Sequence, residues 1–96
     1  MKVKTSELSG AQLDWAVARA DGYPDEDISV DWNYSTDWAQ GGPIIERERI
    51  ELEWSGSEWW ARIWADNDFK GSTPLIAAMR CYVASKLGEE VDMVNP

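Results

Sequence analysis

An α+β domain, with a small antiparallel sheet packed against two helices, is the fold the sequence predicts. Three observations carry it: an amphipathic segment over 10–20 with a double start signal, a hairpin pattern centred on Gly56 and Ser57, and a second capped helix over 74–87. Ninety-six residues suffice for one hydrophobic core, so residues 1–96 are read as a single domain.

The first helix begins where Ser9 and Gln12 have capping-box spacing and Leu8 and Leu13 have that of a hydrophobic staple. Leu13, Ala16, Val17 and Ala20 form one apolar stripe, with Ala11, Trp15 and Ala18 beside it, so the helix should be covered on more than one side. Gly22 suits a left-handed helix terminus.

ISVDW over 28–32 alternates Ile28, Val30 and Trp32 with Ser29 and Asp31, which predicts a strand. Residues 33–49 then read as a long aromatic loop, in which Pro43 opens a short helical turn. Strands over 50–54 and 59–64 follow, joined at Gly56-Ser57, a Gly-first pair suited to a type II′ turn. That turn sets Trp54 opposite Trp59, Leu52 opposite Ala61 and Ile50 opposite Ile63 on one face. The other face receives Glu53 with Trp60, Glu51 with Arg62, and Arg49 with Trp64.

The helix over 74–87 has Thr73 as its N-cap, Pro74 at its first position, Lys86 in its last turn and Gly88 beyond its end. Its second face carries the small residues Ala77, Cys81, Ala84 and Ser85, and with the excess of tryptophan this predicts a homo-oligomer. Residues 89–96 are expected to fray, and residues 2–5 to add a short edge strand.

Composition narrows the function. The chain has no histidine, which removes Ser-His and Cys-His nucleophiles and the usual zinc sites. Cys81 is the only cysteine; with no activating base in view, it reads as a small buried residue in a reducing compartment. DNDFKG over 66–71 has Lys70 and Ala77 where a calcium loop needs oxygen ligands, and Glu51 with Glu53 reads as the solvated side of a strand. No enzyme, metal or cofactor is therefore expected. No apolar run approaches the roughly 18 residues of a membrane span, and MKVK is not followed by a secretory signal.

Eighteen acidic residues against nine basic ones give a net charge of −9, which argues against direct nucleic-acid binding. Asp21, Asp25, Glu26, Asp27, Asp31 and Asp37 lie in a stretch without a base, a negative edge that would attract a basic partner. Seven tryptophans are many for this length, and they point to recognition surfaces as well as core. Trp60, Arg62 and Trp64 form an aromatic-cationic-aromatic stripe, while Asp37, Trp38, Gln40, Gly41 and Gly42 occupy a loop whose Gly-Gly-Pro could present backbone N–H groups to an anion. These eight residues are the candidate binding site, on the expectation that loop and stripe meet in one pocket.

The stretches MKVKTSEL, LDWAVA, STDWAQGGPIIERE and TPLIAAMRCYVASKLG together resemble the NinX-like family of small proteins carried by tailed phages and prophages of enteric bacteria. The resemblance covers nearly the whole chain. It implies an accessory phage protein working in the cytoplasm of a bacterial host, and it carries no catalytic residues to transfer. Three functions fit these readings: a non-enzymatic protein that binds a host component in counter-defence or regulation, a binder of a small planar, nucleotide-like ligand, and an acidic mimic of nucleic acid.

Overall fold

The structure is a computed structural model that describes residues 1–29, 31–63 and 68–93. Three α-helices are formed: α1 (Gly10–Ala20), α2 (Trp38–Glu48) and α3 (Pro74–Leu87). Five strands accompany them: β1 (Lys2–Lys4), β2 (Glu51–Trp54), β3 (Trp59–Arg62), β4 (Asp68–Gly71) and β5 (Glu90–Asp92). Strands β2, β3 and β4 make one antiparallel sheet in that order, and β1 pairs with β5 in a second. The α+β class is as the sequence predicts.

The hairpin register is the expected one, with Trp54 opposite Trp59, Glu53 opposite Trp60, Leu52 opposite Ala61 and Glu51 opposite Arg62. Ser55 N–H donates to the Glu58 carbonyl at 3.0 Å, and Gly56 takes a positive φ of 100°, as the first residue of a type II′ turn requires. Alternation from that turn directs Ala61, with Trp59 and Leu52, toward the core, where Ala61 is buried. α3 lies against this inner face, and α1 and α2 pack on α3 in turn. The core joins Leu8 and Leu13 to Ile44, Ile50, Met79 and Val83. Arg80 fastens α3 on two sides: its Nε donates to the Leu8 carbonyl at 2.7 Å and its Nη1 to the Lys70 carbonyl at 2.8 Å.

The helix limits at 10–20 and 74–87 are the expected ones. Thr73 Oγ1 accepts from Ile76 N–H, whereas Ser9 sits at its N-cap position without a side-chain capping bond, so the capping box with Gln12 does not form. Leu8 and Leu13 are fully buried, and this start rests on the staple.

Several expectations are corrected. Ile28, Ser29, Asp31 and Trp32 form no strand, and Val30 lies outside the described residues. Ser29 turns the chain: its Oγ accepts from Asp31 N–H at 3.0 Å and its carbonyl from Trp32 N–H at 3.3 Å, taking donors a strand would place in a ladder. The sheet's third strand is β4. The loop expected over 33–49 is largely α2, an eleven-residue helix with Pro43 inside it. Gly41, Ile44, Ile45 and Glu48 share its covered side at helical spacing, and packing outweighs the poor propensities of two glycines and a proline.

The tail is not frayed through 93. Val91 and Met93 are buried, Val91 pairs with Val3, Met93 N–H donates to the Met1 carbonyl, and Thr5 Oγ1 donates to the Gly88 carbonyl at 2.7 Å. The edge strand expected at 2–5 therefore joins β5 and not the main sheet. Ala77 and Cys81 are buried against β3 and β4, where Gly71 allows close approach to the Ala77 backbone. The first half of the small-residue face is thus covered within the chain, while Ala84 is half-buried and Ser85 exposed. Burial pushes the Cys81 thiol up to about 11.

Candidate functional site

Alternation in β3 sends Trp60 and Arg62 to the sheet face opposite α3, where β2 and β4 bring exposed Glu51, Glu53, Asp68 and Lys70 beside them. Lys70 Nζ lies 4.8 Å from the centroid of the Trp60 ring, a cation–π contact. The Trp60 indole N–H is shielded from solvent without an acceptor among the described residues.

Arg62 is held by carboxylates. Its Nε lies 2.7 Å from Asp68 Oδ1, its Nη1 3.5 Å from Glu51 and its Nη2 3.9 Å from Glu53. The hydrogen bond it donates to Asp68 is the main reason its guanidinium titrates above the ordinary range, with the charges of Asp68, Glu51 and Glu53 adding to it. A concavity of about 250 Å³, lined by Glu51, Leu52, Glu53, Trp60 and Arg62, opens here. Trp64, the third member of the expected stripe, lies outside the described residues. Asp68 and Lys70 were not among the candidates. Their signal was the alternation Asp68, Phe69, Lys70, masked by the turn-like neighbourhood of DNDFKGS.

The second group of candidates forms the start of α2. Asp37 caps it, with Oδ1 accepting from Ala39 N–H at 2.9 Å. Gln40 reaches back, its Nε2 donating to Asp37 Oδ2 at 3.2 Å and its Oε1 accepting from Asn33 N–H at 2.8 Å. Gly41 is buried and its N–H donates to the Asp37 carbonyl, while Gly42 lies within the helix, so Gly-Gly-Pro is not an open anion cradle. A Cβ on Gly41 would overlap the Tyr34 carbonyl oxygen and lie 2.7 Å from Leu75 Cδ2. Asp37, Gln40 and Gly41 therefore carry structural duties. Trp38 stays 54% exposed at the first position of the helix.

These groups do not meet. α2 rests on α3, and Trp60 points away from α3 on the outer side of the sheet. The tyrosine and tryptophan of 32–34 fold against Tyr23 and each other in edge-on pairs, with centroids 4.8 and 6.1 Å apart.

The acidic stretch is also divided. Asp21 accepts from Tyr82 Oη at 2.8 Å and from Arg47 Nη2 at 2.8 Å, closing a triangle with the 3.0 Å bond from Arg47 to Tyr82. Burial, with Asp21 beside it, drives the Tyr82 phenol well above its usual range. Asp25 lies 3.8 Å from Arg19. Glu26, Asp27 and Asp31 are exposed and in no ion pair among the described residues. Among those residues no helix is long and apolar enough to cross a membrane.

A comparison with curated proteins finds no match. A protein-family model described as Bacteriophage P22, NinX matches residues 4–86, which hold α1, α2, the whole β2–β3–β4 sheet and α3 but for its last residue. With most of its length matched, the chain belongs to the phage NinX family.

Proposed function

We propose that this chain is a non-enzymatic binding protein that acts on a host component in the bacterial cytoplasm, in counter-defence or host regulation, and that the outer face of β2–β3–β4 is its contact surface. The observation that carries this reading is Trp60 and Arg62 side by side on that face, among exposed charges. Tryptophan and arginine are the residue types most enriched where binding energy concentrates, and a charged rim around them is the usual anatomy of a protein interface. The hydrogen bonds Arg62 donates to Asp68 and Glu51, with Glu53 nearby, hold the guanidinium in a set orientation, which lowers the entropy lost on binding.

The small-ligand alternative draws on the concavity beside Trp60, where a planar ring could stack. Its volume of about 250 Å³ falls below the roughly 300–1,000 Å³ of sites that enclose a small molecule, which favours a protein partner. Affinity capture from host lysate tests the reading. A stoichiometric protein retained by the wild type and by Trp38→Ala, but lost with Trp60→Ala, is the expected result. Capture of no stoichiometric protein, or loss with Trp38→Ala alone, would overturn it.

A further inference from the structure

Between α1 and residues 28–29 and 32–36 lies a second notch, of about 280 Å³, lined by Asp14, Trp15, Ile28, Trp32, Asn33 and Thr36 among others. Two indoles and an isoleucine make its walls largely apolar. Asp14 is only 8% exposed, and among the described residues its carboxylate makes one hydrogen bond, from Ser35 N–H at 2.8 Å to Oδ1. No cation of the described residues pairs with it. A carboxylate removed from water in this way is costly unless charge and hydrogen bonds compensate it. The chain holds it at the notch because its backbone bond anchors the Asn33–Thr36 wall to α1.

We propose that this notch receives an arginine side chain of a basic partner protein, with the guanidinium on the Asp14 carboxylate and against the Trp15 and Trp32 rings. The volume suits one long side chain and is small for a whole ligand. A guanidinium is planar, weakly hydrated and stacks on indole, while its fork of donors matches a carboxylate, so it meets both chemistries better than an ammonium does. The surroundings already accept this group: Arg19 places its guanidinium carbon 5.3 Å from the centroid of the Trp15 ring. Exposed Asp25, Glu26, Asp27 and Asp31 flank the Ile28 wall in sequence and supply the field that would draw a basic surface in. The assignment is independent of the outer sheet face.

The probe is a capped Gly-Arg-Gly peptide, titrated into the full chain while the indole N–H signals are followed by NMR. Saturable shifts at Trp15 and Trp32 are expected, at least about tenfold weaker for the citrulline analogue, because a charge-assisted bond is lost. Asp14→Asn keeps an acceptor for Ser35 N–H and should weaken binding by a similar factor. Ala11→Phe, which obstructs the rim without touching the carboxylate, decides the matter should Asp14→Asn unfold. Trp60→Ala should bind the peptide unchanged, so that failure here and failure of the sheet-face reading are told apart. Equal binding of arginine and citrulline peptides, undiminished binding by Ala11→Phe, or no saturable shift would overturn the proposal. So would tighter binding of free arginine than of the capped peptide.

Discussion

Gly41 lies so close beneath Tyr34 that a single methyl group on it would overlap the Tyr34 carbonyl oxygen. One residue along, Gly42 has only the Trp38 ring near, 3.7 Å from where a Cβ would sit. The two glycines should therefore answer alanine in opposite senses. Gly42→Ala gains helix propensity and should stabilise the fold by about 0.5–1 kcal/mol. Gly41→Ala gains the same propensity but forces α2 off Tyr34 and Leu75, and should cost about 1–3 kcal/mol net. Urea unfolding of both variants checks the sign.

α2 ends on Arg49 in the left-handed region, at φ 55° and ψ 47°. Ile50 N–H donates to the Ile45 carbonyl and Arg49 N–H to that of Glu46, which makes this a Schellman terminus that normally uses glycine. Arg49→Gly relieves the Cβ strain and should raise stability by about 1 kcal/mol, less what the freer unfolded chain takes back. Thermal melting should show an upward shift of a few degrees.

Cys81 sets a pH dependence. Its thiol titrates near 9 when unfolded and about 11 in the fold, because burial disfavours the thiolate. A raised folded-state value means the contribution is fully present below pH 9 and is lost as pH rises to 11. The loss should be about 2–3 kcal/mol, and Tyr82, whose phenol is also raised, extends the decline above pH 10. Stability measured from pH 8 to 11 should fall, and Cys81→Ala should remove the fall between 9 and 10 and lessen that between 10 and 11, where Tyr82 also contributes.

Tyr82 Oη, Asp21 and Arg47 form a closed triangle of hydrogen bonds where α3 meets α2 and the end of α1. Tyr82→Phe deletes one corner and leaves the Asp21–Arg47 pair intact, so it should cost about 1–2 kcal/mol. Asp21→Asn in the same background should then cost less than it does alone, because its phenol partner is already gone. A double-mutant cycle by denaturant unfolding measures that difference.

Local signals made α1, the hairpin and α3 legible in the sequence: a staple, a Gly-first turn and a Thr-Pro start each fix a boundary without help from afar. α2 was illegible because its reasons are distant. Gly41 fits helix only because Tyr34 and Leu75 press on it, and a Gly-Gly-Pro run read locally breaks a helix. The alternation at 28–32 had a strand's pattern, but Ser29 intercepts the donors of Asp31 and Trp32. β5 is three residues in a polar tail, and only pairing with β1, across nearly the whole chain, makes it a strand. For the site, hairpin register was enough to place Trp60 with Arg62 and Glu51. Asp68 and Lys70 enter only once β4 is known, and Trp38 was grouped with Trp60 through a loop that is in fact a helix.

The central claim is that the sheet's outer face meets the partner, and the indole N–H spectrum of the chain reads it directly. With a host fraction that binds, the account predicts that the Trp60 signal shifts or broadens while Trp38 stays in place. An unchanged Trp60 signal in a complex that perturbs Trp38 would contradict it.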